Sequence, residues 1–210
     1  VWTAGKLTAE DGVYLPEVRR IDASAVKGSV ILKDFSAEKL KLHLKSGHVH
    51  VIGILPGGVV TQKQTADVQL DETGDFVRDP NVDLVKVAVV ERHQGTGNVA
   101  TAFLRGYGIK AGAVALSIAH DSHNIIVVGV NDDEMAFAVE QLQKQEGGIV
   151  LVKDGQVIES MPMPIAGLMS DQSGEWVDQK LTSIHEKAYE VLGVNREVEP
   201  VMTLCFMSLA

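Results

Sequence analysis

Apolar residues run together or alternate in short blocks along most of the chain, and turn-forming Gly, Asn, Asp and Pro residues separate the blocks. Such bounded runs predict β-strands, whereas apolar residues spaced three and four apart predict helices. The predicted strands are 48–55, 59–70, 83–92, 111–119, 124–130 and 201–209, with hairpins turning at Asp11-Gly12 and at Asp154-Gly155 and a loop over 71–81.

Helical spacing and capping residues predict three helices. They are 132–146 after a cap at Asn131 or Asp132, 174–192 after a cap at Ser173, and a short helix after Asn98. The apolar stripe of the second helix consists of Val177, Leu181, Ile184, Ala188 and Val191. Because hairpins are mixed with strand–helix–strand units, the fold class is predicted to be α+β (mixed α/β), with a mixed sheet and helices packed on it.

Charge and hydropathy narrow the choice of partners. The 210 residues carry a formal net charge of −9 and no basic patch, which argues against a nucleic-acid partner. No apolar run reaches the roughly 18–20 residues that span a bilayer, and no signal peptide is visible, so no membrane partner is predicted. The single cysteine, Cys205, fits a reducing, cytoplasmic setting. Both ends fall abruptly in apolar segments, so we expect a piece of a longer polypeptide.

The segment AHDSHN, residues 119–124, concentrates ligand-type side chains between two predicted strands. In a turn, His120 and His123 could converge on one metal ion, with Asp121 as a third ligand or as an orienting partner. Asn124 could hold the turn or donate to a substrate carbonyl. The alternative is a polar β-turn whose side chains bond their own backbone. Spacing alone leaves both open.

The segment ERHQGTGN, residues 91–98, also follows a predicted buried strand. Glu91 and His93 are two residues apart, so they share a face if the backbone is extended, and a carboxylate with an imidazole is a usable acid–base or metal pair. If a helix follows, the free N–H groups of GTGN could hold an anion or a ring nitrogen. A tight glycine turn without function is the alternative.

Other candidates are weaker. His48 and His50 would share one face of a strand, but a hairpin follows them and not the βα units that supply further metal ligands in amidohydrolase barrels. Cys205 is predicted to lie in the core. His43 and His185 have no partners in the sequence and are predicted to be surface residues. The loop 162–172 could close a pocket or form a rigid connection.

Four motifs occur in one order: VAVVERHQGTGN, AHDSHNIIVVGVNDDEMAFAV, GGIVLVKDGQVI and PMPIAGLMSD. With them the chain resembles, nearly end to end, the C-terminal part of the bacterial adenine deaminases of the amidohydrolase superfamily. The resemblance implies that residues 1–20 are returning strands of a small β-sandwich domain and that residues 21–210 form a C-terminal domain peculiar to this family.

The resemblance also implies a reaction: hydrolytic deamination of adenine to hypoxanthine and ammonia, a purine-salvage step. In the family a binuclear manganese or iron site lies inside a (β/α)₈ barrel, and the metal lowers the pKa of its bound water. That barrel and its metal motifs are absent from this sequence, so no catalytic residue can be carried over. The implied partners are adenine, the barrel of the same protein and, in a homo-oligomer, further copies.

Three functional hypotheses remain at this point. The first is the C-terminal domain of an adenine deaminase, inactive alone, with Glu91, His93, His120, Asp121, His123 and Asn124 shaping the adenine pocket or holding an accessory metal at His120 and His123. The second is a stand-alone purine- or metal-binding domain without turnover. The third is a small metallohydrolase that uses Glu91, His93, His120 and His123 by itself.

Overall fold

An eight-stranded mixed sheet forms the centre of the computed structural model, which describes residues 1–17, 19 and 21–209. The strands are β1 (Trp2–Thr3), β2 (Lys6–Leu7), β3 (Ala9–Glu10), β4 (Val13–Tyr14), β5 (His48–Ile54), β6 (Thr61–Asp67), β7 (Gln69–Leu70), β8 (Phe76–Val77), β9 (Val85–Val90), β10 (Val99–Arg105), β11 (Ala113–Leu116), β12 (Ile125–Gly129), β13 (Gly148–Lys153) and β14 (Gln156–Pro162). The helices are α1 (Asp132–Lys144), α2 (Gly174–Glu190) and α3 (Met202–Cys205). No helix in the described part of the chain is both long enough and apolar enough to cross a membrane.

The order of strands in the large sheet is β14-β13-β11-β12-β9-β10-β5-β6. Neighbouring strands are antiparallel except β10 and β5, which run parallel. The predicted α+β class and mixed sheet are therefore confirmed. The predicted hairpin at Asp154-Gly155 joins β13 to β14, and the predicted strand pair around residues 56–58 is β5 and β6.

Both faces of the central strands are buried, which explains their nearly continuous apolar sequences. On β12, Ile126 and Val128 pack in the cluster that includes Ile184 and Ala188 of α2. Ile125 and Val127 face the opposite way and pack with Met135 and Val139 of α1. The sheet is therefore the middle of three layers. Asn131 caps α1 and Ser173 caps α2, and each side chain accepts a backbone N–H, as predicted.

The first residues form two small hairpins that are separate from this sheet. β1 pairs with β2, and β3 pairs with β4 around the predicted Asp11-Gly12 turn; the sequence did not reveal the first hairpin. Trp2, Val13 and Tyr14 are exposed. The predicted domain boundary follows Arg20, and the second predicted domain ends at Ala210. Val18, Arg20 and Ala210 lie outside the described residues.

The helix predicted after Asn98 is wrong, because this segment is β10. Val99, Ala102 and Phe103 fit a helical spacing, but the segment pairs antiparallel with β9 from Val99↔Val90 to Leu104↔Val85. That ladder satisfies the backbone hydrogen bonds of a strand that is already buried, and it outweighs the local spacing.

The predicted last strand, 201–209, is also wrong, since α3 and a 3₁₀ turn (Met207–Leu209) occupy it. Thr203, Leu204 and Met207 are buried, a helical spacing that a short apolar run hides. In addition, α2 ends at Glu190, so Val191 of the predicted stripe is exposed, while Ile184 and Ala188 are fully buried. The predicted loop 71–81 contains β8, which pairs with β7.

Lys86 is a charged group inside the domain. Lys86 of β9 is 5% exposed, and its Nζ lies 2.8 Å from Asp75 Oδ1 and 2.9 Å from Asp132 Oδ2. Burial alone would raise the pKa of Asp75, but the lysine and the amides of Leu42 and Phe76 outweigh it and lower that pKa. The lysine therefore joins the β7–β8 loop to the first turn of α1 through charge-assisted hydrogen bonds.

Lys86→Met should lower the free energy of unfolding by about 3–5 kcal/mol, because the buried Asp75 and the half-buried Asp132 lose their counter-charge. Urea unfolding of the chain measures the difference. Lys63→Met, at an exposed position of the edge strand β6, is the matched control and should change stability by less than about 0.5 kcal/mol. Equal effects of the two substitutions would contradict the role given to the buried ion pairs.

Candidate functional site

The two polar segments lie side by side at one end of the large sheet. Val90 of β9 pairs with Val99 of β10 on one side and with Ile125 of β12 on the other. We call the connections beyond Val90 the first polar loop (91–98) and the second polar loop (117–124). The first loop leads into β10 and the second into β12, and both strands pair with β9 at Val90. The register of the sheet alone therefore makes the two loops adjacent.

Direct hydrogen bonds join the two loops. The Nε2 atom of His93 lies 2.8 Å from the carbonyl oxygen of Ser122. The backbone N–H of Arg92 donates to Oδ1 of Asn124 at 3.4 Å. His93 is exposed and Asn124 is half-buried, so the contact region borders solvent.

Glu91 is the structural anchor of the first polar loop. Its Oε1 accepts from the backbone N–H groups of His93 and Gln94, at 2.5 and 2.8 Å, and its Oε2 accepts from the N–H and the hydroxyl of Thr96, at 2.9 and 3.0 Å. These hydrogen bonds, the Thr96 amide first, hold the pKa of Glu91 at about 2. A carboxylate so committed is a poor proton acceptor near neutral pH.

The paired Glu91 and His93 site therefore does not form in the way the spacing suggests, because the carboxylate bonds the backbone of His93 and the ring bonds Ser122. The anion site predicted at GTGN is wrong as well. It requires a helix N-terminus, and the residues that follow Asn98 form the strand β10.

His120 and Asp121 form an exposed pair at the tip of the second polar loop. Nε2 of His120 lies 2.5 Å from Oδ1 of Asp121, and both side chains are largely solvent-accessible. The backbone of His120 is held in place, since its N–H donates to the carbonyl of Cys205 at 2.6 Å and its carbonyl accepts from the hydroxyl of Ser208 at 2.8 Å. The pair is rigidly mounted and open to a ligand or to another protein surface.

His123 lies deeper and has a different environment. Its backbone adopts a left-handed conformation with φ of 51°, and its N–H donates to the carbonyl of Ala119 at 2.5 Å. Its Nδ1 atom is buried and has no hydrogen-bond partner among the described residues. Within residues 1–17, 19 and 21–209, no three His, Cys, Asp or Glu side chains are grouped in a way that could hold a metal ion. An accessory metal at His120 and His123 therefore needs ligands from elsewhere and stays a prediction.

Arg92 is the group that sequence reasoning missed. It is 1% exposed, and its guanidinium donates to the carbonyls of His123 at 2.5 Å, Ala166 at 3.1 Å, Ser29 at 3.4 Å and Ser117 at 3.5 Å. No carboxylate pairs with it among the described residues, and burial lowers its pKa. The available signal was an arginine directly after a buried apolar strand, where a charge needs a defined set of acceptors.

The remaining candidates are structural. His48 and His50 point to the exposed face of β5, as predicted, and Nδ1 of His48 lies 2.9 Å from Asp67. Burial raises the pKa of the Cys205 thiol to about 11, which argues against a thiolate nucleophile. His185, which was predicted to be a surface residue, is half-buried, and its Nε2 lies 2.6 Å from Glu199.

Known proteins are similar to this chain over nearly its whole length. The profile of the family described as "Adenine deaminase C-terminal domain" matches residues 58–210. The chain is 65% identical over 210 residues to "Adenine deaminase 2" of Desulfotalea psychrophila, 100% of this chain and 36% of that protein. It is 48% identical over 206 residues to "Adenine deaminase" of Ligilactobacillus salivarius, 98% of this chain and 36% of that protein.

The chain belongs to the adenine deaminase C-terminal domain family. It spans 36% of the length of these curated relatives. The matched residues of the family profile include both polar loops and the 162–173 connection. The resemblance in the sequence motifs is thereby confirmed. The family assignment does not by itself give roles to the side chains of the polar loops.

Glu91→Gln should destabilise this family member at neutral pH by about 1 kcal/mol, because the charged acceptor of four loop hydrogen bonds is lost. The folded pKa, about 2, lies below the ordinary 4.5, so the stabilisation is complete above pH 4.5 and disappears as the pH falls toward 2. Thermal unfolding of both proteins over this range measures the difference. Glu140→Gln, at an exposed position of α1, is the control. A constant difference down to pH 2 would contradict this account.

Arg92→Lys should cost about 2–3 kcal/mol of stability, because one ammonium cannot reach the acceptors that the planar guanidinium reaches. Hydrogen exchange should accelerate at two amides: that of Ile31, which donates to the carbonyl of Arg92, and that of Ala166, whose own carbonyl accepts from the guanidinium. Arg196→Lys, at a largely exposed ion pair with Glu190, should be nearly neutral. If Arg92→Lys leaves both urea stability and exchange unchanged, the guanidinium does not hold the loops together.

Proposed function

We propose that the complete polypeptide carrying this domain is an adenine deaminase, which converts adenine and water to hypoxanthine and ammonia. In this proposal the chain is the C-terminal domain, and it supports or covers a catalytic part that lies outside it. The names of the relatives support the activity, and their greater length supports a further part of the polypeptide.

The reaction replaces the amino group of the purine by a carbonyl. Water adds to the carbon that bears the amino group, a proton must reach the departing nitrogen, and ammonia leaves. A binuclear manganese or iron site, as the resemblance implies, does not fit the described residues of this chain, because they lack a grouped set of three ligands. The proposal therefore assigns the metal and its ligands to the part of the polypeptide outside the chain.

The polar loops are the part of this domain that borders the catalytic part. The observation that carries this proposal is the hydrogen bond of His93 to Ser122, which unites the two loops at the end of the sheet where the N-terminal segment arrives. That segment reaches the sheet when the N–H of Ile31 donates to the carbonyl of Arg92 at 2.8 Å. His93 and His120 present exposed imidazoles there, and imidazoles can donate to or accept from purine ring nitrogens.

The N-terminal hairpins complete the small β-sandwich domain in this proposal, with residues 1–20 in that domain and 21–210 in the C-terminal one. Each pair among β1–β4 is a two-residue ladder, too small to be stable in isolation. Their exposed Trp2 and Tyr14 supply the apolar surface that packing against further strands would bury.

The cellular compartment and the oligomeric state are also part of the proposal. The proposal includes a cytoplasmic protein of purine salvage that assembles as a homo-oligomer. The single, protonated Cys205 supports a reducing compartment, because the chain can form no internal disulfide.

Purified complete polypeptide, supplied with manganese or ferrous iron, should release ammonia and hypoxanthine from adenine, and the 210-residue chain alone should release none. In the complete polypeptide, His93→Ala and His120→Ala should each lower kcat/KM about tenfold or more if the loops border the adenine pocket. The exposed His43, substituted by alanine, is the control and should leave the rate unchanged. Full activity in both loop variants would remove the polar loops from the pocket.

A stand-alone purine- or metal-binding domain is the alternative, and it is favoured by the exposed His120–Asp121 pair. Calorimetric titration of the isolated chain with adenine, or with manganese, distinguishes the two. Binding by the chain alone, lost in His120→Ala, would favour the alternative; no binding accords with a domain that acts only with its catalytic part.

A further inference from the structure

A wide groove lies beside the polar loops, against a connection that Arg92 holds. It has a volume of about 1050 Å³ and lies between the segment 21–27 and the connection 165–174. We call it the 165–174 groove. Its apolar lining includes Ile21, Val26 and Met169, which are 90%, 45% and 58% exposed. Apolar side chains collected in a concave surface indicate a place where another surface packs.

Both walls of the groove are fixed to the domain. The N–H of Ala166 donates to the carbonyl of Val26 at 2.8 Å, and Nζ of Lys27 lies 3.0 Å from Asp171. Below them, the guanidinium of Arg92 holds the carbonyl of Ala166, and the hydroxyl of Ser117 donates to the carbonyl of Gly167 at 2.5 Å. A groove built in this way is preformed, so a partner that fills it does not have to order it first.

We propose that the 165–174 groove is the docking surface for the catalytic part of the same polypeptide, with Met169 as its central anchor. The inference rests on the proposed function, because that function supplies the occupant. The relatives are nearly three times as long as this chain, and the family is a C-terminal domain, so their remaining residues precede it. Residues 21–27 form one wall of the groove, and they precede Ile31, whose N–H donates to the carbonyl of Arg92 at the end of the sheet.

Covalent connection also favours this occupant over a second copy of the chain. A tethered domain has an effective concentration of the order of millimolar near its attachment point, and it occupies an adjacent surface before a free molecule does. Mixed charges at the rim, where Lys27 pairs with Asp171, suit a permanent polar border around an apolar centre. Methionine is well suited to the anchor position because its flexible side chain adapts to the opposing surface.

Oxidation of methionine by hydrogen peroxide, followed by peptide mass spectrometry, tests the proposal on the complete polypeptide. Met169 and Met202 are both 58% exposed in this domain, so Met202 of α3 is the matched internal control. Each rate is compared with that of the same methionine in urea-unfolded protein. Met169 should be protected about tenfold or more and Met202 only about two- to threefold. Met169 reacting as fast as in the unfolded protein would overturn the proposal.

Dilution identifies the occupant. Protection of Met169 should persist over an about hundredfold dilution, since an intramolecular contact does not depend on concentration. Protection that is lost on dilution would mean that a second copy fills the groove, and the proposal would be wrong. An assay of hypoxanthine formation on the same preparation tests the proposed activity separately from the proposed docking surface. Turnover with an unprotected Met169 refutes the groove alone, and protection without turnover refutes the proposed activity alone.

Discussion

The buried guanidinium of Arg92 is the interaction on which this end of the domain depends. It has no carboxylate partner among the described residues, and its donors go to the carbonyls of Ser29, Ser117, His123 and Ala166. These carbonyls belong to three separate connections that lack regular structure and could not otherwise satisfy their buried polar groups. A fixed charge among backbone dipoles is thus the common support of the second polar loop and of the groove wall. Even Gly167 is constrained by it, because a Cβ there would lie 2.7 Å from Nη1 of Arg92.

The sheet provides the frame that makes this arrangement possible. Val90 is paired on both sides, so the first and second polar loops leave the sheet at one level. A shift of register by one residue would exchange the two buried faces of β9 and move Lys86 away from Asp75 and Asp132. The position of the loops is therefore as strongly determined as the core itself. This coupling explains how short polar segments can present exposed imidazoles in defined places.

Sequence reasoning succeeded where local patterns and tertiary packing agree. The capped helices α1 and α2, the Asp154-Gly155 hairpin and the buried strands β9, β11 and β12 all carry strong local signals. It failed at β10 and α3. The apolar spacing of such a short segment fits the period of a helix as well as that of a strand, and the packing of a neighbouring element determines which of the two forms. It identified the two polar segments at strand ends, but their adjacency follows only from the register of β9 with β10 and β12. It could not identify Arg92, because the acceptors of its guanidinium come from residues 25 to 74 positions away in the chain.

The distribution of exposed apolar side chains separates what this domain does alone from what it needs a partner for. The core between the sheet, α1 and α2 is complete, since its central residues are fully buried. In contrast, Ile21, Val26 and Met169 are exposed together in the 165–174 groove. A domain that folds around its own core and leaves such a groove open retains its shape while a second surface packs there. Arg92 bonds both Ala166 of the groove wall and His123 of the second polar loop, so packing in the groove would bring the part that fills it close to the polar loops.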